Sequence, residues 1–329
     1  MEQTKKYKKG FVLGKFLPPH NGHLHLIHSA MEMTEELTVL VCTIKKESIP
    51  GTLRYQWMKD LLPQARFIHV TDEVPSYPHE DPDFWNIWIS LLKREIDPET
   101  EVFFSSEDYG DEVAERLGIK HVMIDRSRNV VPVSGTQIRE EPFKYWQFIP
   151  KNVRPYFTKR IVLTGPESTG KTTMAKKLAE HFKTVWVEEF GRDYFVQKDG
   201  KLILEDIQHI ANGQVETEND GLEKADKLLF CDTDLIVTQI WSEIYFKTCP
   251  QNVIDKSYAL KHDLYLLMDI DIPWEDDGTR EFPHLRQWHF DRIKEELNAR
   301  KLNYIVISGQ HYARFSNAVN AINSFFRIV

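Results

Sequence analysis

Two histidines three residues apart are the first side chains in this chain with an evident chemical use. His20 and His23 belong to the segment Gly14-Lys15-Phe16-Leu17-Pro18-Pro19-His20-Asn21-Gly22-His23, which follows a short apolar run and opens a segment of helical length. Side chains three apart lie on one face of a helix, so both imidazoles can donate hydrogen bonds to one phosphoryl group. The helix N-terminus adds unpaired amides, and Gly14 and Gly22 allow the backbone to approach an anion closely. The segment therefore predicts a phosphate site, although an isolated pair of histidines near a turn would more often be structural.

A second phosphate motif lies in the other half of the chain. The segment Gly165-Pro166-Glu167-Ser168-Thr169-Gly170-Lys171-Thr172-Thr173 matches G-x-x-x-x-G-K-[ST], after a predicted strand and before a predicted helix. That context is the one a P-loop requires. Backbone amides would surround the phosphates of ATP, Lys171 would reach their outer oxygens, and the Thr172 hydroxyl would ligate Mg²⁺. The residues expected to contact ATP here are Gly165, Ser168, Thr169, Gly170, Thr172 and Thr173.

Acidic residues follow two strands of the same half. Glu189 comes after its second predicted strand and Asp232 after its third. Carboxylates at these strand ends face the phosphate site of an α/β domain, where one can hold the metal and another can accept a proton from a substrate hydroxyl. By analogy with nucleoside kinases, we expect Glu189 to meet the hydroxyl and Asp232 to hold Mg²⁺, with Asp193 and Asp234 next in line as bases. Acids after strands also serve solubility alone, so the pattern leaves the base open.

The segment after the fourth strand of this half has the composition of a mobile lid. Residues 269–280 mix Pro, Gly and acids with Arg280, and Arg286 follows soon after. A lid of this kind would bring arginines onto the transferring phosphate. An ordinary surface loop explains the composition equally well.

Short apolar runs alternate with segments of helical length throughout the chain. Near-continuous apolar strands in this arrangement predict an α/β fold class with two doubly wound parallel-sheet domains. The boundary is expected near residue 155, because Pro150 and Pro155 interrupt the pattern there. Residues 1–155 would form one of these domains and residues 156–329, which contain the P-loop motif, the other. The predicted strands are Phe11–Leu13, Val39–Ile44, Phe67–Val70, Val102–Phe104, His121–Ile124, Arg160–Thr164, Thr184–Val187, Leu228–Cys231, Leu264–Met268 and Tyr304–Ile307.

Composition excludes several classes of protein. With 41% apolar and 28% charged residues in 329, the chain is typical of globular proteins and long enough for two cores. The net charge of −8 argues against broad attraction to nucleic acid or anionic membranes. Apolar runs fall well short of the roughly 20 residues of a membrane-spanning helix. Because the three cysteines show no Cys-x-x-Cys spacing and no secretory signal is visible, a reducing cytoplasm is expected.

The histidine segment resembles the signature of the nucleotidylyltransferase superfamily, whose second motif has the form Ser-x-Thr-x-x-Arg or a near variant. Val133-Ser134-Gly135-Thr136-Gln137-Ile138-Arg139 supplies that motif, although Ser134 alone could simply cap a helix. The resemblance implies attack of a substrate phosphate on the α-phosphorus of ATP, with protein groups positioning the phosphates and neutralising their charge. It implies catalytic roles for Lys15, His20, His23 and Arg139, and ATP contacts for Gly14, Phe16, Gly22, Ser134 and Thr136, with Mg²⁺ as a further counter-charge.

Both motifs in this order make the whole chain similar to the NadR-type bifunctional enzymes. The resemblance implies that residues 1–155 form a Rossmann-like nucleotidylyltransferase domain, a nicotinamide mononucleotide adenylyltransferase. It implies that residues 156–329 form a P-loop kinase domain, a ribosylnicotinamide kinase, with ATP as co-substrate and NAD as the final product. Some members carry an N-terminal helix-turn-helix domain and act as repressors. Only 13 residues precede Gly14 here, too few for three helices, so repressor activity is not expected. Two alternatives stay open: another acceptor, such as a pantetheine or flavin precursor, or a nucleotide-sensing regulator with little turnover.

Aromatic side chains are candidates for stacking on the cationic nicotinamide ring. Helically spaced aromatics are more often part of a core, so each is only a candidate: Trp85, Trp88, Trp241, Tyr245 and Trp274. The expected partners are ATP, ribosylnicotinamide, nicotinamide mononucleotide and NAD. Neither nucleic-acid binding nor direct membrane insertion is expected. The sequence leaves the oligomeric state open, and a homo-oligomer is compatible with it.

Overall fold

The computed structural model describes residues 5–275 and 282–328. The chain forms two compact units, one ending at Arg154 and the other beginning at Pro155. Each unit contains a five-stranded sheet in which every strand pair is parallel. None of the described helices combines the length and apolar character needed to cross a lipid bilayer.

The first unit is a doubly wound sheet with strand order β3-β2-β1-β4-β5. Its apolar strands are covered by two separate clusters of buried side chains, and Phe11 stacks on Phe103 with ring centroids 4.5 Å apart. The elements in chain order are β1 (Tyr7–Gly14), α1 (Asn21–Met33), β2 (Thr34–Cys42), α2 (Gly51–Leu61), β3 (Arg66–Val70), α3 (Phe84–Glu95), β4 (Val102–Ser105), α4 (Tyr109–Leu117), β5 (Lys120–Met123) and α5 (Gly135–Glu140).

The second unit has strand order β10-β9-β6-β8-β7. The two strands that flank β6 are buried along their whole length, which is why they appear in the sequence as continuous apolar runs. The elements are α6 (Arg154–Phe157), β6 (Lys159–Thr164), α7 (Lys171–Phe182), β7 (Val185–Val187), α8 (Phe190–Gln197), α9 (Leu204–Lys224), β8 (Leu228–Asp232), α10 (Leu235–Phe246), α11 (Gln251–Ala259), β9 (Leu264–Met268), α12 (Arg286–Ala299), β10 (Tyr304–Ile307) and α13 (His311–Phe326).

The predicted fold class is confirmed in both units. The central strand is β1 in the first sheet and β6 in the second. The next two strands of the chain lie on one side of it, and the last two strands of that sheet lie on the other side. The crevice at the carboxyl ends beside such a strand is where α/β domains bind ligands. The histidine segment follows β1 directly, and the P-loop follows β6. The fold therefore presents both motifs at the edge of the sheet where phosphates are expected.

Candidate functional sites

The two histidines of the first unit are held at the start of α1 by backbone hydrogen bonds. His20 is the N-cap, and its Nδ1 accepts from the Gly22 amide at 3.1 Å. His23 Nδ1 accepts from the His20 amide at 3.3 Å, and the two rings stack with centroids 3.7 Å apart. Burial, with a smaller contribution from Arg128, lowers the pKa of His20 to about 3; burial also lowers the pKa of His23 well below its ordinary value. In a neutral ring whose Nδ1 accepts, the proton is on Nε2, so both residues offer neutral Nε2–H donors.

The second motif of this unit meets the loop that carries the histidines. Arg139 donates from Nη1 to the Leu17 carbonyl and from Nη2 to the Thr136 hydroxyl at 3.1 Å. The backbones approach so closely that a Cβ added at Gly135 would lie 2.5 Å from the Leu17 carbonyl oxygen. Ser134 caps α5, accepting from the Gln137 amide at 3.2 Å. The structure therefore brings the two motifs into contact. Ser134 also serves as a helix cap, the alternative role considered for it.

Lys15 leads to a buried network that the sequence does not reveal. Its Nζ lies 2.8 Å from Ser76 Oγ and 3.2 Å from Glu47 Oε1. Beneath it, the fully buried Arg54 donates to the Lys15 carbonyl, to Glu47 Oε2 and, at 3.1 Å, to the Ile49 carbonyl. Burial alone would raise the pKa of Glu47, but the Ile44 amide and the Arg54 guanidinium outweigh it and lower that pKa. Arg54 thus fixes the loop backbone at Lys15.

The tryptophans of α3 are placed differently from each other. Trp88 lines a cavity beside Lys15 whose wall includes Thr43 and Ser76, and its indole donates to the Pro75 carbonyl at 2.9 Å. Trp85 does not line this cavity; it packs against the core with the Arg116 guanidinium 5.3 Å from its ring. Only Trp88 of this pair is therefore brought near the histidine loop's lysine.

Replacing Arg54 by methionine should strongly destabilise the first unit. The change leaves the buried Glu47 carboxylate without its main partner, and breaking a buried ion pair in this way costs about 3–5 kcal/mol. Urea unfolding of the full chain measures the effect.

The matched control for this substitution is Arg126→Met. Arg126 forms an ion pair with Asp108 in which the two side chains are 67% and 70% exposed. An exposed pair of this kind should contribute about 1 kcal/mol or less. Equal effects of the two substitutions would show that Glu47 does not depend on Arg54.

The P-loop of the second unit is shaped by residues with positive φ. Gly165 has φ 141° and Gly170 φ 80°, and a Cβ at Gly165 would lie 2.9 Å from the Met268 carbonyl oxygen. Inside the loop, Thr169 Oγ1 and Lys171 Nζ both donate to the Pro166 carbonyl, at 2.8 and 3.0 Å. Burial lowers the pKa of Lys171, and neighbouring carboxylates oppose that shift. The lysine side chain is therefore held within the loop, at the position where a P-loop binds phosphate.

Four predicted or nearby polar side chains converge beside this loop. Thr172 donates its hydroxyl proton to Asp232 Oδ2. Arg192, which the sequence did not single out, bridges the group: its Nη2 lies 2.9 Å from Glu189 Oε2 and its Nη1 3.4 Å from Thr172 Oγ1. Burial raises the pKa of Glu189, although Arg192 and Lys171 oppose it. Glu189 and Asp232 thus reach one site, as the strand-end pattern predicts.

The acids next in line are less suitably placed. Asp193 is exposed on α8 and does not line the adjoining cavity. Asp234 is buried as the N-cap of α10, accepting from the Val237 amide at 3.2 Å and from the Tyr265 hydroxyl at 3.1 Å. Its carboxylate is already used to hold the helix start.

Lys171 and Glu189 line a cavity whose wall also contains aromatic and other polar side chains. Trp241 and Tyr245, with ring centroids 5.8 Å apart, belong to its wall, whereas Trp274 does not. Sequence reasoning gave no role to five polar residues of this wall. Gln214 and His289 come from helices distant from the motifs, and the other three lie near Glu189 and Asp232 but outside the phosphate motifs. The residues missed are Arg192, Gln214, Thr233, Thr238 and His289.

The lid segment is only partly described. Arg280 lies outside the described residues. Before it, the Glu275 amide donates to Ser168 Oγ at 2.7 Å; after it, Arg286 Nη2 donates to the Ile272 carbonyl at 3.1 Å. The described part of the lid segment thus contacts the P-loop. In the P-loop motif itself, Thr173, which was expected to contact ATP, is exposed on α7.

Comparisons with known proteins give a family match in each of the two units. Residues 11–141 match the cytidylyltransferase-like family, and residues 160–314 match a family described as AAA domain. The trifunctional NAD biosynthesis/regulator protein NadR of Escherichia coli K12 is 30% identical over 95% of this chain and 82% of its own length. Its Salmonella typhimurium LT2 counterpart is 31% identical with the same coverage.

Solved structures share this fold. A crystal structure of NadR protein in complex with NR is 21% identical, with a TM-score of 0.82 and 99% of both chains covered. Another, in complex with NAD and AMP-PNP, is 21% identical with a TM-score of 0.81, covering 99% of this chain and 98% of that one. At this identity the likeness shows the fold that the chains have in common.

Proposed function

Because the chain belongs to the NadR family of NAD biosynthesis and regulator proteins, we propose that it catalyses two consecutive steps of NAD synthesis. The second unit phosphorylates ribosylnicotinamide with ATP to give nicotinamide mononucleotide. The first unit transfers the adenylyl group of ATP to that mononucleotide, giving NAD and pyrophosphate. The observation that carries the proposal is that two different phosphate motifs, each following the central strand of a parallel sheet, occur in a chain similar to NadR over 95% of its length.

Phosphorylation requires a hydroxyl oxygen to attack the γ-phosphorus of ATP, while the bond from that phosphorus to the β,γ-bridging oxygen breaks and ADP leaves. In the proposed site Glu189 accepts the proton of the 5′-hydroxyl, because its carboxylate lies at the cavity beside Lys171. Lys171 and Arg192 stabilise charge on the transferring phosphoryl group. Trp241 and Tyr245 would hold the flat ring of the acceptor in the same cavity.

Adenylyl transfer requires no proton donor on the enzyme. A phosphate oxygen of the mononucleotide attacks the α-phosphorus, and the bond to pyrophosphate breaks. In the proposed site the Nε2–H groups of His20 and His23 donate to the phosphate oxygens, while Lys15 and Arg139 add positive charge. Trp88 is the aromatic candidate of this unit for the nicotinamide ring.

The residues around Thr172 fit a magnesium ion. Asp232 places one carboxylate oxygen at the Thr172 hydroxyl, and its buried Oδ1 has no hydrogen-bond partner among the described residues. Oxygen ligands of this kind are those that Mg²⁺ prefers. Thr172 and Asp232 would hold the ion, directly or through water, and bound Mg²⁺ supplies counter-charge to the phosphates of ATP.

Charge and cysteine chemistry support the remaining proposals about setting and partners. The net charge of −8 argues against broad electrostatic attraction to nucleic acid. Cys42, Cys231 and Cys249 are free thiols, as expected for a reducing compartment such as the cytoplasm.

One incubation tests both halves of the proposed function. The pure protein is mixed with ribosylnicotinamide, ATP and Mg²⁺, and the products are identified by mass spectrometry. NAD and nicotinamide mononucleotide are the expected products. Mononucleotide without NAD would contradict the adenylyltransferase assignment. If neither product forms, but a second incubation supplied with mononucleotide gives NAD, the kinase assignment is contradicted.

Conservative substitutions of the two acids should separate their roles. Glu189→Gln is expected to lower kinase kcat about 10²-fold or more with little change in ATP affinity, because it removes the hydroxyl base. Asp232→Asn is expected to raise the Mg²⁺ concentration needed for half-maximal rate. Kinase kinetics at varied Mg²⁺ measure both effects. A shifted Mg²⁺ requirement in Glu189→Gln alone would mean that the roles are reversed, and retained phosphorylation in both variants would place the base elsewhere.

A further inference from the structure

Gln214, on α9, carries a buried amide that is only half satisfied. The residue is 1% exposed and belongs to the wall of the kinase-unit cavity. Its Oε1 accepts a hydrogen bond from the Phe190 amide at 3.0 Å. Its Nε2 is buried and has no hydrogen-bond partner among the described residues. A buried donor without a partner costs free energy, which a bound ligand with an acceptor atom can recover.

The Phe190 amide determines which end of the Gln214 side chain is available. If the side-chain amide were turned over, its NH₂ would face the backbone N–H, donor against donor. The nitrogen is therefore the end left for a ligand. This distinguishes Gln214 from Thr233 in the same cavity, whose hydroxyl can rotate to donate or accept and so cannot select one kind of group.

The neighbours of Gln214 indicate which part of the substrate it would meet. Ile207 and Ile210 are close to Gln214 on the same face of α9 and line the same cavity, as do Trp241 and Tyr245 of α10. Such apolar and aromatic walls suit a flat ring. Of the charged residues in this wall, Glu167 and Lys171 belong to the P-loop, and Glu189 and Arg192 lie at the start of α8. A donor among the ring-binding residues matches an acceptor atom attached to the ring.

We propose that Gln214 is a specificity-determining residue of the kinase unit, donating from Nε2 to the carboxamide oxygen of ribosylnicotinamide. This rests on the proposed kinase function. The carboxamide carbonyl is an acceptor on the ring, and its hydrogen bond would satisfy a donor that otherwise stays buried and unpaired. An acceptor riboside without that carbonyl leaves the penalty in place and should be a poorer substrate.

The test compares two acceptors, ribosylnicotinamide and ribosylpyridinium, which lacks the carboxamide. Wild-type kinase kcat/KM should favour ribosylnicotinamide by about 10- to 100-fold. Gln214→Leu removes the donor and should reduce the preference to about threefold or less. Gln214→Glu keeps an oxygen for the Phe190 amide but replaces the donor with an acceptor, so it should lose the preference without losing that backbone bond. Melting temperatures show whether each variant is folded.

Gln208→Leu is the matched control on the same helix. Gln208 donates to Asn212 at 2.8 Å and is not part of the cavity wall, so this variant should keep the wild-type preference. The assignment of Gln214 is wrong if both variants are folded and keep the full preference for ribosylnicotinamide. It is equally wrong if kcat/KM falls by the same factor with both acceptors. If the wild-type chain phosphorylates neither acceptor, the proposed kinase function itself is wrong, which is a different result.

Discussion

Lys171→Ala should abolish phosphorylation of ribosylnicotinamide, with a loss of at least about 10³-fold, and leave adenylyl transfer to supplied mononucleotide near the wild-type rate. The lysine is buried within the P-loop, its Nζ 3.0 Å from the Pro166 carbonyl, so its charge acts on one bound nucleotide only. Removing it takes away the main fixed cation of the loop, while the shape that Gly165 and Gly170 give the backbone remains. The two activities are measured separately, each with its own substrate.

The control for this substitution is Lys177→Ala, because Lys177 is exposed on the same helix. It should leave both activities unchanged. An equal loss of adenylyl transfer in a folded Lys171→Ala protein would contradict the assignment of the kinase step to the second unit.

Sequence motifs were reliable where a local pattern carries the information. The P-loop glycines adopt positive φ or pass close to a backbone carbonyl, and the motif implies the strand before them and the helix that follows. The histidine segment is similarly local, since His20 and His23 bond to amides within three residues. Strand bounds were less exact. β2 begins at Thr34, five residues before the predicted run at Val39, because its exposed polar residues still pair with β1 through the backbone.

Residues supplied by distant parts of the chain were not predictable in the same way. Arg54 looks like a surface residue of an amphipathic helix, yet it is fully buried and bonds to Lys15, 39 residues earlier. Gln214 becomes a fixed donor only because the Phe190 amide, 24 residues away, occupies its oxygen. Both roles depend on tertiary contacts, which leave no periodic or motif signal in the sequence.

The aromatic candidates show a third kind of limit. Trp85 and Trp88 lie three residues apart in the sequence, and both were candidates for stacking on the nicotinamide ring. Only the direction in which α3 presents each side chain places Trp88 at the cavity beside Lys15 and Trp85 beside Arg116. Helical spacing predicts that two side chains share a face approximately, but not which of them reaches a ligand.

His23→Ala should lower adenylyl transfer about 10²-fold or more, by analogy with the loss of a single oxyanion donor. The substitution removes the Nε2–H proposed to bind the phosphates and the Nδ1 that accepts from the His20 amide, so it also loosens the partner histidine. Kinase activity should persist. His28→Ala, on the exposed side of the same helix, is the control and should change neither activity.

The pH dependence gives a second measurement on the same residue. Because burial keeps the pKa of both His20 and His23 below the ordinary value, the two rings remain neutral donors throughout the neutral range. Neither ring should therefore contribute a titration to the adenylyl transfer rate near pH 6.5, roughly the ordinary pKa of histidine, although the phosphates of the substrates titrate in the same range. A step near that pH which disappears in His23→Ala would mean that the ring acts as a charged or general-acid group. Loss of both activities in a folded His23→Ala protein would instead contradict the independence of the two sites.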